Sequence, residues 1–217
     1  MELISDLIAI GDIHGEIDKL NNLLGKIKLT FSQTIVFLGD YIDRGKDSAA
    51  VVERLLALKD ETNCIFLKGN HEQMFLQALK TLSEEDVADC VVNGGAETLK
   101  QYLLMKKNDI DKFREHMIFF KNLKNYYMTD EFIFVHAGLN PNKHILEQAE
   151  DDFLWIREDF LNNRINVKQK IIFGHTVFDG PYIQDNKIGI NTGCGIYKKA
   201  PLIAYFCKEN KFIKSDF

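Results

Sequence analysis

Apolar residues recur along the chain with two different periods. Leu7-Ile8-Ala9-Ile10, Thr34 to Leu38, Cys64 to Leu67, Glu131-Phe132-Ile133-Phe134-Val135 and Lys170-Ile171-Ile172-Phe173 are short runs rich in Ile, Val and Phe. Runs of that length and composition predict buried strands. Between the first three the spacing turns helical: Ile17, Leu20, Leu23, Leu24 and Ile27, then Val51, Val52, Leu55, Leu56 and Leu58. The second helix opens on Asp47 or Ser48 as its cap. Such a strand–helix–strand–helix–strand opening implies parallel strands joined by right-handed crossovers. From Gln73 to about Leu123 only the helical period persists (Phe75, Leu76, Leu79; Leu99, Leu103, Leu104; Phe113, Met117, Phe120). A capping-box-like Ser83-Glu84-Glu85-Asp86 and a break at Asn93-Gly94-Gly95 punctuate it. This predicts a helical insertion at about 73–123 within a single domain of residues 1–217. Beyond Phe173, the segments Ile188–Ile190, Leu202–Cys207 and Phe212–Ile213 read as short antiparallel strands with glycine turns.

Each of the five strand-like runs is followed at once by residues that bind cations or anions. These are Asp12 and His14, then Asp40, Asp43 and Arg44, then Asn70 and His71, then His136, and finally His175. Strands of an open α/β sheet present their carboxyl ends to the ligand crevice, so residues far apart in sequence converge there. Four of the six histidines fall at these ends, which an even scatter would not produce. Three histidines, two aspartates and an asparagine carbonyl form a nitrogen and oxygen donor set without sulfur. That set suits Mn, Fe or Zn better than Ca, which prefers oxygen alone. Six side chains are too many for one catalytic ion that keeps an open position, but they suit two ions sharing a carboxylate, and Asp40 is the natural bridge. Paired ions about 3.5–4 Å apart clamp an in-line displacement at phosphorus. Arg44 fits the same substrate, because a guanidinium fork matches tetrahedral phosphate oxygens.

A formal net charge of −5 argues against a surface generally attractive to nucleic acid or anionic membrane. No apolar run approaches the roughly 20 residues that span a bilayer. Met1-Glu2-Leu3-Ile4-Ser5-Asp6 carries acids and no basic region, which predicts no signal peptide and a cytoplasmic protein. Cys64, Cys90, Cys194 and Cys207 lack CxxC spacing, and two lie in apolar runs, so buried reduced thiols are expected. His116 and His144 read as structural or surface histidines.

Together, Gly11-Asp12-Ile13-His14-Gly15, Gly39-Asp40-Tyr41-Ile42-Asp43-Arg44-Gly45, Gly69-Asn70-His71-Glu72, His136-Ala137-Gly138 and Gly174-His175-Thr176 carry a resemblance. In order and spacing they resemble the phosphoprotein phosphatase branch of the calcineurin-like metallophosphoesterases. Asn191-Thr192-Gly193-Cys194 is similar to that family's late strand turn. The Asp-Arg-Gly ending of the second motif narrows the match to this branch. The resemblance implies an α/β fold of two mixed β-sheets packed face to face, with helices outside. Asp12, His14 and Asp40 would hold one metal; Asp40, Asn70, His136 and His175 would hold the other. The ions would be divalent transition metals, Mn²⁺ first, with Fe or Zn as alternatives. His71 would be the general acid, with Asp43 fixing its tautomer, and Arg44 would bind phosphate. Arg157, in Leu154-Trp155-Ile156-Arg157-Glu158, resembles a second phosphate arginine; the alternative is an exposed helix arginine paired with an acid.

The length resembles the compact bacterial and phage members, without the long C-terminal extensions of larger ones, so no regulatory subunit is implied. The leading expectation is a phosphatase acting on phosphoserine and phosphothreonine in proteins, by in-line attack of a metal-bridging hydroxide. A symmetrical dinucleoside tetraphosphate hydrolase is the alternative enzyme. A non-catalytic metal-binding scaffold is a third reading, against which stands the full set of ligand residues.

Overall fold

The computed structural model describes residues 6–216. Met1–Ser5, on which most of the signal-peptide reading rests, lie outside the described residues. The chain runs β1 (Asp6–Ile10), α1 (Ile17–Lys26), β2 (Gln33–Phe37), α2 (Ser48–Ala57) and β3 (Asn63–Phe66). Four helices follow: α3 (Asn70–Thr81), α4 (Glu84–Cys90), α5 (Ala96–Asn108) and α6 (Ile110–Lys121). Then come β4 (Tyr126–Met128), β5 (Phe132–Val135), α7 (Glu150–Trp155), α8 (Glu158–Asn162) and β6 (Lys170–Phe173). β7 (Tyr182–Gln184), β8 (Lys187–Gly189), β9 (Ile203–Phe206) and β10 (Lys211–Lys214) complete it.

Two five-stranded mixed sheets result, ordered β10-β9-β1-β2-β3 and β4-β5-β6-β8-β7. β1, β2 and β3 are parallel, as the crossover pattern predicts, while β9 and β10 add to β1 in antiparallel fashion. β5, β6 and β8 are the parallel centre of the second sheet. The opening alone suggests one sheet; side-chain alternation shows why there are two. Leu7 and Ala9 of β1 and Val36 of β2 meet Phe132, Phe134, Ile172 and Ile188 in a layer between the sheets. Ile8 and Ile10 point the opposite way, onto Leu20, Leu23, Val51 and Leu55 of α1 and α2. On the far side, Ile133, Val135, Ile171 and Phe173 pack on Phe153, Leu154 and Phe160 of α7 and α8. Strands buried on both faces must be apolar throughout. Each fully buried Ile or Phe contributes about 1.5–3 kcal/mol of transfer free energy.

Local signals settle several boundaries. Asp47, rather than Ser48, caps α2 by accepting from the Ala50 N–H at 2.9 Å, and Ser83 caps α4 through the Asp86 N–H at 3.2 Å. The stretch after β3 is helical from Asn70, three residues earlier than its apolar spacing predicts, which puts Asn70 and His71 in a first helical turn. Asn93-Gly94-Gly95 is a wide turn between α4 and α5, with Gly94 at φ 98°. β4 and β7 escape the apolar pattern, because each has three residues and lies at a sheet edge. His116 is buried against the Tyr102 hydroxyl at 2.9 Å, a structural histidine. All four cysteines are free thiols, three of them buried. Among the described residues no helix is long and apolar enough to cross a membrane.

Candidate metal centre

The carboxyl ends of β1, β2, β5 and β6 and the first turn of α3 bring Asp12, His14, Asp40, Asp43, Asn70, His71, His136 and His175 together, all buried. The turns after β1 and β2 are laced by backbone bonds: the N–H groups of Ile13 and His14 donate to the Asp40 carbonyl at 3.0 and 2.9 Å. This packing leaves no room for a side chain at Gly45, whose Cβ would run into the His14 carbonyl. His14, Asp40, Asp43, Arg44 and His175 all have left-handed backbone, with φ between 48° and 72°. Such a conformation costs about 1–2 kcal/mol per non-glycine residue, so the surroundings must impose it.

Glu72 holds the Asp40 part of this turn, and the apolar pattern gives no hint of it. Its carboxylate is fully buried and accepts from the backbone N–H groups of Asp40 (2.9 Å), Tyr41 (2.8 Å) and Gly69 (3.0 Å). One side chain thereby fixes the turn after β2 to the start of α3. Two sequence signals mark it: it closes the Gly69-Asn70-His71-Glu72 motif, and it stands three residues after Gly69, where a capping-box acid sits. Asn191 is a second such residue: its amide donates to Asp12 Oδ2 at 2.6 Å and to the His175 carbonyl at 3.1 Å.

The donor atoms face one another in two groups. His14, Asp40 and His71 form one, and Asp40, His136 and His175 the other, each with ligand atoms within 4.8 Å of one another. Asp40 belongs to both: Oδ2 lies 3.6 Å from His14 Nε2, and Oδ1 lies 3.5 Å from His136 Nε2. The Asn70 carbonyl oxygen joins the second group, 2.9 Å from His136 Nε2 and 3.0 Å from His175 Nδ1. Asp12 sits beside it, its carboxylate accepting from the His175 N–H at 3.1 Å. His14 and His136 each turn Nδ1 to a backbone carbonyl, of Ile42 and Leu38 respectively, which leaves Nε2 of each as a lone-pair donor.

Burial pulls His14 down to about 3 and His175 to about 2, and it lowers His136 too, so these rings are neutral, as metal ligation requires. Burial and the neighbouring Asp40 push the Asp12 carboxyl well above the usual range. Burial works to raise Asp40 as well, but the surrounding histidines outweigh it and hold that carboxyl low. His175 Nε2 is a buried nitrogen without a partner. Closely spaced buried carboxylates beside neutral imidazoles are costly without a cation, and a divalent ion in either group supplies the missing charge. The residues fit a two-ion centre.

His71 differs from the other histidines. Burial lowers it, yet Asp40 and its bond to Asp43 together carry it above its ordinary value. Its Nδ1 lies 2.7 Å from Asp43 Oδ2, and its Nε2 faces the centre, 3.9 Å from Asp40 Oδ2. Arg44 is exposed and donates through Nη1 to His14 Nε2 at 3.2 Å. Arg157, also exposed, precedes α8 rather than lying within it, and its charge acts on both Asp12 and Asp40.

Residues 6–213 match the calcineurin-like phosphoesterase family. The chain is 24% identical to the asymmetrical bis(5′-nucleosyl)-tetraphosphatase of Oceanobacillus iheyensis, over 94% of this chain and 89% of that protein. It is 28% identical to serine/threonine-protein phosphatase 2 of Escherichia coli, over 85% of this chain and 86% of that one. A crystal structure of a protein proposed to be a diadenosine tetraphosphatase has the same fold, with a TM-score of 0.74 at 22% identity, covering 98% of this chain and 94% of the other. The chain belongs to the calcineurin-like metallophosphoesterases, hydrolases of phosphate esters that work with divalent metal ions.

Proposed function

We propose that this phosphoesterase removes phosphate from phosphoserine and phosphothreonine in proteins. The observation that carries the reading is the buried Asp43–His71 pair, whose 2.7 Å bond keeps a proton on a histidine facing the metal centre. A serine or threonine alkoxide is a very poor leaving group and needs that proton. A nucleotide phosphate leaves readily without one. Positioned general acids contribute about 10²–10⁴-fold. Asp12, His14 and Asp40 would hold one ion, and Asp40, Asn70, His136 and His175 the other. Bound there, divalent ions such as Mn²⁺ polarise the phosphoryl oxygens and lower the pKa of water. The side chains do the rest. Arg44 and Arg157 bind and orient the phosphate, Asp43 fixes the imidazole, and His71 hands its Nε2 proton to the departing oxygen.

Two expected results probe this assignment. Arg157→Ala should raise KM about 10-fold or more, the scale of a charge-assisted hydrogen bond, with kcat less affected. Unchanged KM and unchanged inhibition by phosphate would return Arg157 to an ordinary exposed arginine. Between a lower and a higher pH the affinity for Mn²⁺ should rise, because proton and ion compete for the Asp12 carboxyl, which burial and Asp40 push well above the usual carboxylate range. Chelator competition at both pH values measures this. A flat affinity would leave Asp12 outside the donor set.

Dinucleoside tetraphosphate hydrolysis is the second reading, and one structural feature favours it besides the names of two relatives. Trp155 is 38% exposed, and its ring lies 6.2 Å from that of His175, where a nucleobase would stack. Protein loaded with Mn²⁺ and assayed on a phosphoserine peptide and on diadenosine tetraphosphate separates the two. Turnover of the peptide alone supports the proposal. Preference for the dinucleotide overturns it, and the products then tell symmetrical cleavage (ADP only) from asymmetrical cleavage (ATP and AMP).

A further inference from the structure

Asp43 and Arg44 are consecutive left-handed residues, at φ 72° and 65°. Their two backbone N–H groups are held from the start of α2 and from the helical stretch that follows β3. The Asp43 N–H is shared between two buried hydroxyls, Ser48 Oγ at 3.0 Å and Thr98 Oγ1 at 3.2 Å. Those hydroxyls are bonded to each other at 2.8 Å. Ser48 opens α2, five positions on, whereas Thr98 comes from the first turn of α5. The Arg44 N–H donates to the Gly94 carbonyl at 3.0 Å. Gly94 has φ 98°, and a Cβ there would lie 2.8 Å from Arg44 Cγ, so a side chain at this position displaces the arginine stem.

We infer that Thr98 and Gly94 are positioning residues for hydrolysis: Thr98 orients Asp43, and through it His71, while Gly94 seats Arg44. This rests on His71 acting as the general acid. The physical argument is over-determination. A strained two-residue turn holds one geometry only when each of its polar groups has a fixed partner. The Asp43 carboxylate can direct the His71 proton only as well as its own backbone is held. The α4–α5 turn therefore does more than cover one side of the sheet: it sets the direction of the acid and of the phosphate-binding guanidinium.

The test compares Thr98→Val, Thr98→Ser and His71→Asn, each loaded with Mn²⁺, on a phosphoserine peptide and on p-nitrophenyl phosphate. The aryl ester has a good leaving group that barely needs a proton. Thr98→Val should lower kcat about 10–100-fold on the peptide, the scale of losing an outer partner, and about 2-fold or less on the aryl ester. KM and metal content should hold, and Thr98→Ser should restore the peptide rate. An equal loss on both substrates, or none, overturns the role of Thr98 when His71→Asn does show the contrast. If His71→Asn itself shows no contrast, the general-acid reading falls, and the role of Thr98 falls with it. Gly94→Ala supplies a separate arm should Thr98→Val fold poorly. It should raise KM about 10-fold on both substrates alike, and unchanged KM removes Gly94 from the seat of Arg44.

Discussion

His71→Asn is expected to lower kcat on a phosphoserine peptide by about 10²–10⁴-fold while both ions stay bound, the range typical of a lost general acid. Asparagine keeps a polar side chain of similar reach but carries no titratable proton. The retained metal follows from geometry. His71 Nδ1 is committed to Asp43, and its Nε2 stands 3.9 Å from Asp40, further than the His14 or His136 nitrogens. The loss should shrink on p-nitrophenyl phosphate, whose phenolate departs without protonation. Steady-state kinetics on the two esters, beside elemental analysis, decide the matter. An equal loss on both would take the proton-donor role from His71, and loss of an ion would make it a ligand instead.

Asp40→Asn is expected to be the most damaging single change in metal content. Its carboxylate is the one group common to both donor sets, with Oδ2 turned to His14 and Oδ1 to His136. The substitution preserves size, so the backbone turn and the cradle from Glu72 should survive. What goes is the negative charge shared by two cations. Affinity for the ions should fall by more than the roughly 10–100-fold typical of removing an outer partner, and turnover should fall with it. Inductively coupled plasma measurement of metal per chain reads the first effect directly. Two ions retained at wild-type affinity would show that Asp40 does not bridge.

The strand-end residues were legible before any fold was known because two local codes coincide there. Short continuous apolar runs mark strands, and a glycine with a ligand-type residue marks the end of each. What the runs did not reveal was the partner sheet. Ile8 and Ala9 are both buried, one against α1 and α2 and the other against the second sheet, and an apolar run buried on two faces reads the same whichever sheet covers it. β4 and β7 were illegible for a simpler reason: three residues at an edge carry too little pattern to separate from a loop.

The supporting roles around the centre were unreadable for a different physical reason, even where the residues, such as Glu72 and Asn191, lie in quoted motifs. Glu72, Asn191, Ser48 and Thr98 act by bonding to backbone groups or carboxylates brought close by the fold. A hydroxyl that serves Asp43 from α5, and a carboxylate that gathers N–H groups from two turns, leave no periodic trace. By itself the sequence determined which acids, amides and histidines stand at the strand ends, because donor atoms are covalently written. Only the tertiary structure decided how they face each other. Left-handed turns, shared hydrogen bonds and the carboxylate common to two donor groups depend on contacts between segments 30 to 180 residues apart, and no local propensity encodes those.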